Sequence, residues 1–163
     1  MYLRPVLPRD HKALTELVKR IENFSDAERQ VALELIDDAI RRPAVGYRCL
    51  VAVGFNGEGE DLWGYACYGK TPMTEHTYDL YWMAVDANYR RQGVGHAFLE
   101  ALSETLRLCG GQIIRVETST QESYGGTLRF YEREKFQLAG RIPNFYKTGD
   151  DLLIYYKTIE ADG

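Results

Sequence analysis

Six consecutive residues of this chain have the types and spacing to hold an anion: Arg90-Arg91-Gln92-Gly93-Val94-Gly95. They follow a run from Tyr78 to Val85 that is apolar or aromatic except for Asp79, which is typical of a strand buried on both faces. After them, apolar residues recur on one helical face, at Phe98, Leu99, Leu102, Leu106 and Cys109. A glycine-containing turn between such a strand and helix leaves several backbone N–H groups pointing at one spot, where phosphate is the usual ligand.

The spacing of the glycines separates three kinds of phosphate loop. A Walker loop ends in Gly-Lys-Ser/Thr, but His96-Ala97 follow Gly95. A dinucleotide fingerprint needs a third glycine three residues after Gly95, and Phe98 stands there. The pattern that remains is Arg-x-x-Gly-x-Gly, unless the segment is a tight turn with chance glycines.

This Arg-x-x-Gly-x-Gly pattern resembles the pyrophosphate loop of the GCN5-related N-acetyltransferases, the GNAT family, which bind acetyl-coenzyme A. A second segment, Phe130-Tyr131-Glu132-Arg133-Glu134-Lys135-Phe136, resembles the Phe-Tyr-Glu-x-x-Gly-Phe signature of that family. Lys135 stands where glycine is usual, and we expect it to change the turn after the helix. The resemblance extends over about residues 47–159, and three further runs are similar: Leu80-Tyr81-Trp82, Glu117-Thr118-Ser119 and Ile142 to Lys157.

The resemblance implies a binding path for acetyl-coenzyme A along the first segment. Backbone N–H groups from Gln92 to His96 would cradle the pyrophosphate, and glycine at positions 93 and 95 would let the backbone approach closely. Arg90 or Arg91 would pair with a phosphate, the alternative being a solvated surface arginine. The amides of the pantetheine arm would pair with an open strand edge. The cofactor-binding residues expected on these grounds are Met83, Ala84, Val85, Arg90, Arg91, Gln92, Gly93, Val94, Gly95 and His96.

Three side chains are candidates for proton transfer. Tyr131 is the candidate acid, because its free pKa of about 10 is near that of a thiol leaving group and the resemblance places it beside the sulfur. Asp79 and Glu117 are rival bases, and Asp79, among apolar neighbours, is expected to have a raised pKa. By period two, Asp79 shares a strand face with Tyr81, Met83 and Val85. The alternatives are carboxylates paired with arginines such as Arg115 or Arg129, and a water molecule as the base.

The acceptor would be a small-molecule or peptide amine. Direct attack in a ternary complex is expected, since no cysteine stands out as a covalent carrier. Its pocket would be lined by Tyr81, Trp82, Phe145 and Tyr146, whose rings suit a cation. The alternative is that these aromatics pack the sheet. Two other classes remain open, a non-catalytic acyl-coenzyme A-binding regulatory module and a nucleotide-binding protein.

Composition narrows the class of protein further. A net charge of −4 argues against nucleic acid as a partner. No apolar run is long enough for a membrane span, and no signal peptide is visible, so a cytoplasmic location is expected. Cys49, Cys67 and Cys109 form no CxxC pair and are read as reduced core thiols. The scattered histidines give no metal-ligand spacing.

The predicted element order is β-α-α-β-β-β-α-β-α-β-β, which defines an α/β sandwich in one domain over residues 1–163. We expect the GNAT-like form, a mixed, mostly antiparallel sheet of six to seven strands with about four flanking helices. Asp10 and a Ser25–Glu28 capping box would begin the first two helices. Ser119 to Gly126 would be a loop, and Phe145 and Tyr146 would lie in a loop between the last two strands, which could also join two copies of the chain.

Overall fold

The computed structural model describes residues 1–22, 24–121 and 125–161. Within these ranges seven strands form one sheet, namely β1 (Tyr2–Pro5), β2 (Tyr47–Phe55), β3 (Glu60–Lys70), β4 (Thr77–Val85), β5 (Ile113–Ser119), β6 (Gln137–Lys147) and β7 (Asp150–Thr158). Four α-helices flank the sheet, namely α1 (His11–Arg20), α2 (Asp26–Arg41), α3 (Val94–Leu108) and α4 (Gly125–Arg133). The predicted order of elements and the mixed α/β class are confirmed.

The strand order across the sheet is β1-β2-β3-β4-β5-β7-β6. Every neighbouring pair is antiparallel except β4 and β5, which are parallel. A parallel pair needs a crossover connection, and α3 provides it. The sheet is therefore mixed and mostly antiparallel, as the sequence predicts.

Each face of the sheet has its own hydrophobic core. On one face, α3 and α4 bury a cluster that includes Phe98, Leu102 and Tyr131. On the other, α1 and α2 bury a cluster that includes Leu14, Leu17 and Ile36. The central strands are thus covered on both faces, which explains why β4 reads as an almost continuous apolar run.

The N-termini of the first two helices differ in how they are capped. Ser25 and Glu28 form the predicted capping box, with the Glu28 N–H donating to Ser25 Oγ at 3.1 Å. Asp10 occupies the predicted N-cap position of α1, but its side chain accepts no hydrogen bond from that helix, so the predicted side-chain cap is wrong. Its carboxylate instead accepts hydrogen bonds from the guanidinium of Arg4 at 2.7 Å and from the Leu7 N–H. The bond from Arg4 is charge-assisted and therefore stronger than one from a helix N–H.

Two other predictions need correction. Phe145 and Tyr146 lie within β6, not in a loop, and the turn to β7 is formed by Thr148 and Gly149. Cys109 is exposed, because α3 ends at Leu108 and the thiol lies beyond the buried face. The predicted loop from Ser119 to Gly126 lies partly outside the described residues, and α4 already begins at Gly125.

No α-helix in the described ranges has the length and apolar character that a membrane crossing requires.

Candidate active site

The parallel strands β4 and β5 separate partway along their length. They pair only at Thr77↔Ile113, Tyr78↔Ile114 and Asp79↔Arg115. Both strands continue, β4 to Val85 and β5 to Ser119, while β5 keeps its other partner, β7, to the end. The edge of β4 from Leu80 onward, facing β5, therefore has no strand partner among the described residues. Its backbone groups are available to an extended ligand.

A β-bulge lies at the beginning of this open edge. Cys67 pairs with Trp82 and Tyr68 pairs with Leu80, so Tyr81 has no residue opposite it on β3. An extra residue reverses the alternation of side chains. Met83 and Val85 consequently pack on the α3 side, with Leu80.

The bulge overturns the prediction that Asp79, Tyr81, Met83 and Val85 share one face, because period two does not hold across it. Beyond the bulge, Trp82 and Ala84 pack on the α1–α2 side of the sheet. The backbone of Met83, Ala84 and Val85 still lies on the open edge, where the sequence analysis places a pantetheine arm.

The segment between β4 and α3 presents a cluster of backbone N–H groups. Arg91 and Gly93 have positive φ, 61° and 78°, and α3 begins at Val94 without a side-chain cap. No described residue accepts a hydrogen bond from the N–H groups of Gln92 to His96, and the first intrahelical bond here is from the Ala97 N–H to the Gly93 carbonyl at 3.0 Å. These N–H groups and the positive end of the α3 dipole have the geometry and charge that favour an anion.

The two loop positions Gly93 and Gly95 favour glycine for different physical reasons. A Cβ at Gly93 would meet nothing within 4 Å, so its positive φ is what favours glycine. A Cβ at Gly95 would lie 3.0 Å from Phe130 Cζ on α4. Gly95 therefore permits close packing of α3 against α4, whereas the sequence analysis gave it the same reason as Gly93.

The charged side chains of the loop differ in how they are held. Arg90 and Arg91 are exposed, and neither forms an ion pair with a described residue. His96 points away toward α4, where its Nδ1 lies 3.0 Å from a Glu134 oxygen. That hydrogen bond raises the pKa of His96. His96 can therefore donate a hydrogen bond to an anion through its backbone N–H while its imidazole pairs with Glu134.

Tyr131 is buried on α4, with 5% of its surface exposed. Its ring packs against Phe136, at a centroid distance of 5.1 Å, and against Tyr155 at 6.5 Å. Burial raises the pKa of Tyr131 above the usual value, because a low-dielectric environment disfavours the phenolate. The hydroxyl therefore stays protonated at neutral pH, as a proton donor must. Its catalytic role stays a prediction.

Lys135 does not change the turn that follows α4, contrary to expectation. It adopts φ of 65°, the left-handed conformation that a glycine would take there. The Phe136 N–H donates to the Tyr131 carbonyl at 2.9 Å and the Lys135 N–H to the Glu132 carbonyl at 3.1 Å. This is the hydrogen-bond pattern of a helix end closed by a left-handed residue, and the lysine carries the strain of that conformation.

The two candidate bases both contact Arg115. Asp79 is 6% exposed, and its Oδ1 accepts a hydrogen bond from Arg115 Nε at 2.6 Å. Glu117 is exposed, with an oxygen 3.8 Å from Arg115 Nη1. The hydrogen bond that Arg115 donates to Asp79 is the main cause that raises the pKa of Arg115. This geometry favours the paired-carboxylate alternative for Asp79 and leaves Glu117 the more accessible base.

The four predicted acceptor-site aromatics do not form one cluster. Tyr81 makes an edge contact with Tyr47 at 5.4 Å, and burial raises the pKa of Tyr81 to about 12. Trp82 packs edge-on against Phe24 at 4.8 Å, within the α1–α2 core. Phe145 and Tyr146 contact each other at 5.0 Å and are about half exposed on β6.

Tyr146, on β6, lies near the open end of β5. Burial raises the pKa of Tyr146, and the carboxylates of Glu117, Asp150 and Glu28 raise it further. Tyr146 therefore lies near the candidate base Glu117 and near the beginning of α2. The sequence analysis named neither Tyr47 nor Phe24 nor Glu28 as part of this region, because only the tertiary fold brings them near Tyr81, Trp82 and Tyr146.

The segment that carries Phe145 and Tyr146 is held by Asp151. Regular pairing of β6 with β7 is interrupted between Ile142 and Lys147. Within the interruption, the Asn144 N–H donates to Asp151 Oδ1 at 2.7 Å, and Arg141 Nε donates to Asp151 Oδ2 at 2.6 Å. The hydrogen bonds from Asn144 and Arg141 lower the pKa of Asp151. A buried carboxylate thus fixes an irregular strand next to Tyr146.

Comparison with known proteins identifies the class that this fold and site define. Residues 12–136 match the model of the acetyltransferase (GNAT) family. A GNAT-family protein from Desulfovibrio desulfuricans is 38% identical, with 98% of this chain and 99% of that chain covered and a TM-score of 0.89. The chain therefore belongs to the GNAT family of acetyltransferases.

More distant structures share the fold. An aminoglycoside 6′-N-acetyltransferase complexed with coenzyme A is 17% identical, with 100% and 99% of the two chains covered and a TM-score of 0.74. The ribosomal-protein-S18-alanine N-acetyltransferase of Escherichia coli is 23% identical, with 99% and 96% covered and a TM-score of 0.74. No curated protein matches the sequence.

Proposed function

We propose that this chain is an acetyl-coenzyme A-dependent N-acetyltransferase that acts on a primary amine by direct attack in a ternary complex. The observation that carries the proposal is the continuity of two features. The open edge of β4 ends at Val85, and a few residues later the unpartnered N–H groups of Gln92 to His96 begin. An extended acyl carrier with a diphosphate matches this sequence of an amide-pairing edge and an anion site.

The residues present fit such a carrier. Space is open around Gly93, and Arg90 and Arg91 are exposed beside the N–H cluster. Arg90 or Arg91 would add a charge-assisted contact to a phosphate. Acetyl-coenzyme A supplies an activated acetyl thioester, and the chain supplies its orientation along β4.

Acetyl transfer requires two proton movements that this chain can serve. The acceptor ammonium must lose a proton before its nitrogen can form the new C–N bond, and Glu117 or a water molecule would accept that proton. Asp79 could do so only if its bond to Arg115 breaks. As the C–S bond breaks, the leaving sulfur must gain a proton, and Tyr131 would donate it. The products are an N-acetyl amide and the free thiol.

The proposed acceptor is a small-molecule or peptide amine. The half-exposed rings of Phe145 and Tyr146 and the carboxylate of Glu117 would receive a cation at the open end of β5. A cytoplasmic location, the absence of nucleic-acid and membrane partners, and a homodimer formed through the last two strands stay predictions.

Two measurements test the proposal. Calorimetry with the purified protein should show acetyl-coenzyme A binding, with ATP binding more weakly or not at all. A panel of amines and short peptides, screened for thiol release from acetyl-coenzyme A, should then give at least one acceptor whose acetylated product is detected by mass spectrometry. An absence of acetyl-coenzyme A binding would contradict the proposal at its first step.

A second candidate is a non-catalytic acyl-coenzyme A-binding regulatory module. The observation that favours it is the ion pair between Asp79 and Arg115, which leaves no buried free carboxylate on β4. This candidate predicts tight acetyl-coenzyme A binding together with no thiol release above the background rate for any amine of the panel.

A further inference from the structure

One aromatic stack holds the segment that precedes the N–H cluster against the β2–β3 hairpin. The Tyr89 ring lies parallel to the Trp63 indole, with centroids 4.3 Å apart and an interplanar angle of 2°. The Tyr89 hydroxyl donates a hydrogen bond to the Asp61 carboxylate. Tyr89 immediately precedes the two arginines of the loop, so its position sets where the loop begins.

The stack depends on a local irregularity of the sheet. Ala52 pairs with Gly64 and Val53 with Leu62, so Trp63 has no residue opposite it and is the bulged residue of β3. A Cβ at Gly54 would lie 2.6 Å from three atoms of the Trp63 indole. The indole therefore packs closely against the bare backbone of Gly54, and Tyr89 stacks on the same indole.

Backbone hydrogen bonds hold the same segment against β3. The Asp86 N–H donates to the Trp63 carbonyl at 2.8 Å, and the Asp86 carboxylate accepts from the Asn88 N–H at 2.9 Å. The Tyr89 N–H donates to the Asp86 carbonyl at 2.9 Å. These hydrogen bonds fix the turn between β4 and the loop to β3.

We propose that Tyr89 is a positioning residue that pre-organises the diphosphate-binding loop through Trp63 and the bare backbone at Gly54. This inference rests on the proposed function, since it concerns the same anion site. A loop that is already ordered binds its ligand without the cost of ordering, so loss of the Tyr89–Trp63 stack should weaken binding.

The chain provides a matched control on the same hairpin. Tyr2 stacks on Phe55 at 6.1 Å and 28°, and its hydroxyl donates to the Glu60 carboxylate. Tyr2 therefore has the same type of ring contact and the same type of carboxylate partner as Tyr89. It lies on β1, at the far edge of the sheet from the loop.

The test measures the Kd for coenzyme A by calorimetry, with the melting temperature of each variant recorded alongside. Tyr89→Leu should weaken binding about 2- to 10-fold, the value of one aromatic pair. Tyr89→Phe, which keeps the stack, should lose less. Gly54→Ala should weaken binding in the same direction, because it displaces the indole, and Tyr2→Leu should leave the Kd unchanged.

The outcomes separate this inference from the proposed function. A wild-type protein that binds no coenzyme A overturns the proposed function itself. Wild-type binding together with an unchanged Kd in both Tyr89→Leu and Gly54→Ala overturns the positioning role alone. Equal weakening in Tyr89→Leu and Tyr2→Leu also overturns it, since a general loss of stability would then account for both. If Tyr89→Leu does not fold, Tyr89→Phe and Gly54→Ala decide the matter.

Discussion

Asp79 and Arg115 form an ion pair at the last position where β4 and β5 are joined. The two residues are register partners, and Arg115 Nε lies 2.6 Å from Asp79 Oδ1. Beyond this pair the strands separate and the candidate binding path begins. The ion pair therefore lies where β4 and β5 separate, and we expect its first role to be holding the two strands together at that point.

Replacing Asp79 with Asn tests whether that role is structural or catalytic. We expect the unfolding free energy to fall by about 1–3 kcal/mol, because Arg115 loses a charged partner. Transfer should fall less than 10-fold if another group takes the proton. Urea unfolding and steady-state kinetics on the same preparation provide the two values. A loss of activity above about 100-fold with unchanged stability would instead make Asp79 the base.

Replacing Tyr131 with Phe removes the proposed proton donor and keeps the buried ring. We expect the Kd for acetyl-coenzyme A to stay near the wild-type value and kcat to fall about 10²- to 10⁴-fold. Because burial raises the pKa of Tyr131, its ionisation should cause no alkaline loss of wild-type activity below a pH of about 10. Turnover equal to the wild type in this variant would remove Tyr131 from the mechanism.

Replacing Lys135 with Gly tests the strain at the end of α4. The left-handed conformation costs a residue with a Cβ about 1–2 kcal/mol, and glycine gives back part of this through its greater freedom in the unfolded chain. We expect a net gain in unfolding free energy of up to about 1 kcal/mol, measured by urea unfolding. Gly93→Ala, which adds a Cβ at another left-handed position, should have the opposite sign. A destabilised Lys135→Gly would show that the lysine side chain contributes more than its backbone costs.

Replacing Glu117 with Gln tests the carboxylate beside Tyr146. If Glu117 attracts a cationic acceptor, KM for that amine should rise about 2- to 5-fold, and the effect should shrink at high salt. KM for acetyl-coenzyme A should not change, since the proposed diphosphate site is on the loop before α3. If Glu117 is the base, kcat falls instead and its pH profile changes. A change confined to KM for acetyl-coenzyme A would contradict both roles.

The sequence was enough to predict the element order and the strand–loop–helix around Gly93, because both depend on local patterns. The capping box at Ser25 and the glycine at position 93 are decided by neighbours within a few residues. The bulge at Tyr81 could not be predicted, because it depends on how β3 pairs with β4. The same holds for Phe145 and Tyr146, whose strand is fixed by a buried carboxylate, Asp151, from the next strand.

The central claim is that the N–H groups from Gln92 to His96 hold the diphosphate of the carrier. The most direct test follows the backbone amide resonances of isotope-labelled protein by NMR as coenzyme A is added. The account predicts the largest shifts at the amides of residues 92–96, smaller shifts along residues 83–85, and little change at the far edge in β1. Saturating coenzyme A that shifts resonances elsewhere and leaves the amides of residues 92–96 unchanged would contradict it.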